Sequence, residues 1–232
     1  MIQDNLTEIN KRIMSAALHS NRSPDDIKLV AVSKRIPSEK ILTAIDCSQY
    51  IFGENYVQEA MDKIPPLKES RTNNDIFFHF IGKLQSNKAR KAAEIFDVIE
   101  TIDSVKLANA LEKHLVTLNK TLTAYLQVNI GKELQKSGVM PENCEQVLQE
   151  LSLLKHLKIA GLMTMPPYFD DPEKVRPYFR ELRHLSEKLA AKGLFGHHKS
   201  VELSMGMSGD FEVAIEEGAT VVRIGTAIFG SR

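Results

Sequence analysis

Eight short apolar runs recur along the chain, and segments with helical spacing separate them. The runs are LVAVS (29–33), YIFG (50–53), IFFHFIG (76–82), DVIET (97–101), TAYLQVNI (123–130), LKIAGLMTM (157–165), SVELSMG (200–206) and TVVRIG (220–225). Most are nearly continuously apolar and rich in Val, Ile and Phe, which is typical of parallel strands covered on both faces. Eight strands that alternate with helices form either an open doubly wound sheet or a closed barrel. Eight strands in 232 residues favour an α/β fold of the (β/α)8 TIM barrel type, because every strand is then paired and no edge is exposed.

The segments between the runs carry the residues that start and stop helices. The clearest begins after Asp171 and Pro172, where apolar residues step by three and four as far as Gly193. Asp suits the helix cap, Pro suits the first turn, and Gly suits the C-terminal stop. Residues 2–19 predict an extra N-terminal helix ahead of the first strand. We therefore expect residues 1–232 to form a single barrel domain.

Charge and cysteine content exclude several classes of partner. Lys plus Arg and Asp plus Glu both number 30, so the formal net charge is zero and neither nucleic acid nor an anionic membrane is an expected partner. The two cysteines, Cys47 and Cys144, have no metal-binding spacing and predict no disulfide framework. The N-terminus lacks the apolar region of a signal peptide, and no apolar run is long enough to span a membrane. The sequence therefore predicts a cytoplasmic protein.

The loops after the seventh and eighth runs are candidates for a phosphate site. In a TIM barrel, functional residues collect where strands end, and loops after strands seven and eight commonly bind phosphate. Ser208 lies between Gly206 and Gly209, immediately before a helical pattern, and Gly225-Thr226 offers a second glycine, a hydroxyl and another helix start. If each loop is considered separately, Ser208 and Thr226 are also compatible with ordinary helix caps. Their occurrence after these two particular strands favours a phosphate site.

Lys34 follows the first apolar run, at the predicted mouth of the barrel. A lysine in such a place is usually a solvated strand end. Inside a barrel mouth, however, an amine can be desolvated and placed near another cation, which lowers its pKa and makes it nucleophilic. Arg223, on the strand adjacent to the first in a closed barrel, is such a cation. An amine nucleophile beside a phosphate site indicates an aldehyde phosphate ligand, with pyridoxal 5′-phosphate as the leading candidate and a sugar-phosphate Schiff-base aldolase as the alternative.

Seven segments carry a resemblance that extends through the whole chain. They are AVSK (31–34), FGENYVQE (52–59), HFIGKLQSNKARK (79–91), QVNIGKELQKSG (127–138), GLMTM (161–165), LSMGMSGD (203–210) and TVVRIGTAIFG (220–230). In this order they closely resemble the pyridoxal phosphate homeostasis protein family, whose fold is that of the alanine racemase N-terminal barrel domain. The resemblance implies that Lys34 holds pyridoxal 5′-phosphate as a Schiff base and that Asn55 lies beside this cofactor. It also implies that Ser208, Gly225 and Thr226 hold the phosphate.

The sequence also allows a role to be assigned to three other ionisable residues. By similarity to the racemase barrel, Arg223 would face the pyridine nitrogen. His79 lies within an apolar run, which favours a hydrogen-bonded histidine of the barrel over an acid or a ligand. Glu54 has two readings, an acid or a residue that favours the start of the next helix.

The resemblance implies a protein that binds pyridoxal phosphate reversibly, buffers it or delivers it to apo-enzymes, and has no robust catalytic activity. The alternative is a pyridoxal phosphate-dependent amino-acid racemase or a related enzyme. Racemases with this barrel carry an additional β domain and complete their active site with a tyrosine from a partner subunit. This sequence ends at Arg232, soon after the eighth run, so we expect no second domain and a monomeric protein.

Overall fold

A closed barrel of eight parallel strands forms the centre of the computed structural model, which describes residues 1–70, 76–196 and 201–230. Each strand pairs with the next along the chain, and the eighth pairs with the first. The strands are β1 (Lys28–Val32), β2 (Ile51–Glu54), β3 (Phe77–Phe80), β4 (Val98–Ile102), β5 (Leu122–Val128), β6 (Leu157–Thr164), β7 (Glu202–Ser204) and β8 (Val221–Ile224). The predicted TIM barrel is confirmed.

Helices follow the strands and surround the barrel, and one extra helix precedes β1. They are α1 (Ile2–His19), α2 (Ser38–Asp46), α3 (Val57–Glu69), α4 (Ala89–Ile95), α5 (Val105–Leu118), α6 (Cys144–Leu151), α7 (Arg176–Ala191), α8 (Phe211–Glu216) and α9 (Thr226–Phe229). The extra helix α1 confirms the prediction from residues 2–19, and Asn5 ties it to α9 by donating a 2.8 Å hydrogen bond to the backbone oxygen of Ile228.

The strands form continuous apolar runs in the sequence because both of their faces are buried. One small set of apolar side chains lies in the barrel interior, and a much larger set packs between the strands and the helices. The interior set consists of Val30, Tyr125, Ala160, Met163 and Val221. Parallel sheets covered on both sides have this composition. Several polar side chains at or just after the carboxyl ends of the strands are also buried, among them Ser33, Glu54 and Thr164.

The predicted end of the helix after Asp171 is confirmed, but its predicted start is wrong. The Asp171 side chain accepts a hydrogen bond from the backbone nitrogen of Glu173 at 3.0 Å, but it caps a separate short 3₁₀ helix at Pro172–Lys174, and α7 begins only at Arg176. Gly193, after the same helix, has a φ of +72°, a left-handed conformation that glycine adopts without strain. Two predictions extend beyond the described residues. The seventh apolar run begins at Ser200, and the predicted domain ends at Arg232.

No helix within the described ranges is both long and apolar enough to cross a membrane.

Candidate functional site

Lys34 lines a cavity of about 310 Å³ at the carboxyl ends of the strands. Asn55 and Gly82, which follow β2 and β3, line the same cavity, as do Asn129 after β5 and Met165 after β6. The Oδ1 atom of Asn55 is buried and has no hydrogen-bond partner in the structure. An amide oxygen in this state can accept a hydrogen bond from a bound molecule. The cavity therefore presents a primary amine and an unsatisfied acceptor together.

The backbone on both sides of Lys34 is held by side chains of α3. The Nζ of Lys63 donates a hydrogen bond to the backbone oxygen of Ser33 at 3.0 Å. The backbone nitrogen of Arg35 donates to Oε1 of Glu59 at 2.6 Å. Arg35 has a φ of +58°, a left-handed conformation that is unfavourable for a side chain with a Cβ atom. The contacts from α3 therefore stabilise a strained turn that carries Lys34.

Glu54 belongs to the support of this turn and is not among the residues that line the cavity. Its side chain is fully buried, and Oε1 accepts hydrogen bonds from the Ser33 hydroxyl at 2.7 Å and from Lys63 Nζ at 3.0 Å. Its Oε2 is buried without a hydrogen-bond partner in the structure. Burial raises the pKa of Glu54, and the contacts with Ser33 and Lys63 offset only part of that rise. Glu54 thus ends β2 as a buried carboxyl group and does not serve as a helix N-terminal residue.

The hydroxyl groups of the two predicted phosphate loops lie together. Ser208 Oγ, after β7, is 3.3 Å from Thr226 Oγ1, after β8. Gly225 packs closely on β1, since a Cβ atom at its position would lie 3.2 Å from Cβ of Val32, two residues before Lys34. Because β8 pairs with β1, the predicted phosphate loops lie next to the strand that leads to Lys34.

The interpretation of Ser208 as a helix cap is wrong. Asp210 occupies the position before α8, and its Oδ1 accepts a hydrogen bond from the backbone nitrogen of Met207 at 2.6 Å. Thr226 is the first residue of α9, and Gly225 takes the cap position. The Ser208 hydroxyl is thus not used to cap α8. Burial raises the pKa of the Asp210 carboxyl beside this loop.

A buried polar network crosses the barrel interior. Glu100 on β4 is fully buried, and its Oε1 is 2.6 Å from Nδ1 of His79 on β3. Its Oε2 accepts a hydrogen bond from the Ser204 hydroxyl on β7 at 2.5 Å and is 3.7 Å from Nη1 of Arg223 on β8. Arg223 Nη1 donates to the same Ser204 hydroxyl, and Nη2 donates to the backbone oxygen of Thr164 at 2.8 Å.

The network contains two buried ionisable groups of opposite charge, the Glu100 carboxylate and the Arg223 guanidinium. Burial by itself would raise the pKa of Glu100, but the hydrogen bond and charge of His79, together with the charge of Arg223, outweigh burial and lower it. Burial lowers the pKa of the Arg223 guanidinium, and the negative charges of Glu100 and Asp210 oppose that shift. Glu100 is therefore an ionised carboxylate that compensates Arg223.

The predicted site residues fall into three groups in space. Lys34 and Asn55 line the cavity, and Ser208, Gly225 and Thr226 form the neighbouring loop pair. Arg223 is only 4% exposed and lies in the interior network.

Among the residues that support these groups, sequence reasoning missed Glu100 and Lys63. Glu100 gave a signal, because a carboxylate inside an apolar run must find a partner when the run is buried. Lys63 gave none, since it lies on a helix with an ordinary mixture of charges. His79 agrees with its interpretation as a hydrogen-bonded barrel histidine.

The alanine racemase N-terminal domain family model matches residues 6–232. A pyridoxal phosphate homeostasis protein from Aquifex aeolicus is 40% identical over 230 residues, covering 99% of this chain and 97% of the relative. Among solved structures, PipY of Synechococcus elongatus with pyridoxal phosphate (PLP) bound has a TM-score of 0.84 and 36% identity, covering 99% of this chain and 100% of PipY. Alanine racemase from Corynebacterium glutamicum, at 17% identity and a TM-score of 0.71, shares the fold over 100% of this chain and 61% of the racemase.

Proposed function

Because the chain belongs to the pyridoxal phosphate homeostasis protein family, within the larger alanine racemase N-terminal domain family, we propose that it takes part in intracellular pyridoxal phosphate homeostasis. It holds the cofactor as a Schiff base on Lys34 and buffers it or delivers it to apo-enzymes. The observation that carries this proposal is the placement of Lys34 on a turn held by α3, in a cavity that also contains the unsatisfied oxygen of Asn55.

The residues present fit the chemistry of pyridoxal phosphate. Lys34 supplies the primary amine, and Asn55 supplies an acceptor for a donor on the cofactor. Ser208 and Thr226 supply hydroxyl groups for the phosphate, and Gly225, which packs closely on β1, lies directly before Thr226. When bound, the cofactor supplies an aldehyde that condenses with a primary amine and a ring that withdraws electrons.

Arg223 is the candidate partner of the pyridine nitrogen. A guanidinium has five N–H groups and no acceptor, and the contacts with Ser204 and Thr164 use two of them. Arg223 is therefore able to donate a further hydrogen bond to a ring nitrogen. Its role is to orient the ring and to leave that nitrogen unprotonated.

We propose further that this protein is not an enzyme and acts as a cytoplasmic monomer formed by one barrel domain. The names of its homeostasis relatives support a non-catalytic role. Its partners are pyridoxal phosphate and the apo-enzymes that receive it.

The first experiment tests the covalent link. The purified protein is loaded with pyridoxal phosphate, reduced with borohydride and analysed by peptide mass spectrometry. We expect Lys34 to be the principal modified residue, and the Lys34→Ala variant to bind far less cofactor. Lys83→Ala is the matched control, because Lys83 lines the same cavity. No reducible adduct in the wild-type protein would contradict the proposal.

The second experiment tests homeostasis. The loaded protein is mixed with a cofactor-free pyridoxal enzyme in the presence of a phosphatase that destroys free pyridoxal phosphate, and recovery of the recipient's activity is followed. Recovery that survives the phosphatase indicates direct delivery, whereas protection of the cofactor without recovery indicates buffering. Loss of the cofactor at the rate of the free compound would exclude both roles.

A further inference from the structure

The interior network combines residues from five strands around one carboxylate. Glu100 on β4 faces Arg223 on β8, which is four strands away around the closed barrel. Ser204 bridges them, since it donates a 2.5 Å hydrogen bond to Glu100 and accepts one from Arg223. His79 and the backbone of Thr164 complete the network. The carboxylate and the guanidinium are thus fixed relative to each other by a bridging hydroxyl.

Burial makes this arrangement costly unless the charges are compensated. Arg223 is 4% exposed and Glu100 is fully buried. A buried guanidinium without a carboxylate nearby is strongly unfavourable, whereas a hydrogen-bonded pair is tolerated. Asp210 also contributes negative charge to Arg223, but it lies in the loop before α8 and its carboxyl contacts the backbone of Met207. Glu100 is the carboxylate that faces Arg223 inside the barrel.

We propose that Glu100 is a positioning residue, which holds the Arg223 guanidinium through Ser204 so that Arg223 donates a hydrogen bond to the ring nitrogen of bound pyridoxal phosphate. This inference rests on the proposed function, because it concerns the cofactor that Lys34 would hold. It assigns a role to an acidic residue that does not itself line the cavity.

Two features of the network indicate that Glu100 positions the Arg223 guanidinium and does more than stabilise the fold. The Ser204 hydroxyl donates a hydrogen bond to Glu100 and accepts one from Arg223. These two hydrogen bonds fix the rotation of the guanidinium plane as well as the position of its charge. Thr164 accepts from the other terminal nitrogen, so both ends of the guanidinium are constrained. A rigid donor loses less conformational entropy on contact with a ligand than a mobile one.

The test compares two ligands in several variants. One ligand is pyridoxal phosphate, and the other is its analogue in which a ring C–H replaces the pyridine nitrogen. Wild-type protein should bind pyridoxal phosphate more tightly, because only this ligand accepts from Arg223. In Glu100→Gln that preference should fall by about tenfold, the effect expected for loss of one hydrogen bond from a charged group. A defect that is only structural would weaken the binding of both ligands equally.

Ser204→Ala keeps the inference testable if Glu100→Gln does not fold. It removes the bridging hydroxyl and should lower the same preference in the same direction. Glu202→Gln is the matched control, because Glu202 begins β7 and contacts Lys28 and Tyr125 at the opposite end of the barrel. Its ligand preference should equal that of the wild-type protein.

The outcomes separate the positioning role of Glu100 from the proposed function of the protein. A preference that is unchanged in Glu100→Gln and Ser204→Ala, in protein that still binds pyridoxal phosphate, would overturn the positioning role of Glu100 and leave the proposed function standing. A wild-type protein that forms no adduct at Lys34 would overturn the proposed function itself.

Discussion

The Nζ of Lys63 lies 3.0 Å from the backbone oxygen of Ser33, so that a lysine of α3 holds the residue immediately before Lys34. The same Nζ contacts Glu54 at 3.0 Å and Glu59 at 2.5 Å. Its side chain is only 9% exposed, so solvent screens these contacts weakly. Lys63 therefore supports the turn on which the proposed chemistry depends.

Replacement of Lys63 by Met should destabilise the protein and weaken cofactor attachment. Removal of one partner of a buried ion pair typically costs about 3–5 kcal/mol, because the remaining carboxylates lose their counter-ion. Urea unfolding measures the loss, and borohydride trapping at Lys34 measures attachment. Lys192→Met is the control, since Lys192 and its partner Glu145 are largely exposed. A free energy of unfolding equal to that of the wild type would contradict the support role.

The pH dependence of stability should have opposite signs for Glu54 and Glu100. The pKa of Glu54 is raised above its ordinary value of 4.5, so the native state binds the proton more tightly than the unfolded state does. Its contribution to stability is therefore lost as the pH rises from 4.5 through the raised pKa. The pKa of Glu100 is lowered, so its contribution is present above 4.5 and is lost as the pH falls through the lowered value.

Glu54→Gln and Glu100→Gln make this difference measurable. Urea unfolding of both variants and the wild type at a series of pH values gives the free energy of each side chain relative to glutamine. The advantage of wild type over Glu54→Gln should shrink as the pH rises, and its advantage over Glu100→Gln should grow. Parallel slopes for the two variants would refute the assignment of the charges.

Thr226→Val should weaken the binding of pyridoxal phosphate but leave the binding of unphosphorylated pyridoxal almost unchanged. The substitution removes the hydroxyl that lies 3.3 Å from Ser208 and retains the shape of the side chain. Loss of one hydrogen bond to a charged phosphate costs about 1.5–3 kcal/mol, or roughly 10- to 150-fold in affinity. Thr43→Val, on the exposed face of α2, is the control. Equal losses for both ligands would place the phosphate elsewhere.

Amino-acid racemisation should be slow or absent. Racemisation removes a proton from one face of the α-carbon and returns it to the other, so it needs two positioned acid–base groups. Lys34 is a candidate for one. A guanidinium such as Arg223 donates to the ring nitrogen without protonating it, which makes the ring a weaker acceptor of the charge that develops on the substrate.

Incubation of several L-amino acids with the loaded protein in deuterated water tests this expectation. Deuterium at the α-carbon reports proton exchange, and chiral chromatography reports the D-isomer. We expect at most exchange with retention of the L-form. Efficient formation of a D-amino acid that depends on Lys34 would establish the racemase alternative.

The barrel was predictable, and Lys34 and Thr226 could be proposed as site residues, because their sequence signals are local. Each apolar run predicts its own strand, and Gly193 predicts where α7 ends. Once a barrel is inferred, the rule that function lies at the carboxyl ends of strands selects Lys34 and Thr226 without a structure.

The contacts of the supporting residues were not predictable because their partners are distant in sequence. Glu100 contacts Arg223 and Ser204 only when the strand order and register are known. Lys63 contacts Ser33 only through the packing of α3 against the start of the loop after β1. The sequence left the cap of α8 open, because it does not reveal which of two nearby polar residues, Ser208 or Asp210, occupies that position.

The pairing of β1 with β8 has a consequence for biosynthesis. Lys34 is synthesised before Gly225 and Thr226, which lie about 190 residues further along the chain. At typical rates of 5–20 residues per second, roughly 10–40 s separate the two events. A nascent chain therefore carries the amine long before it has the loops that would hold the phosphate, so cofactor capture must await synthesis of β8 and the residues that follow it.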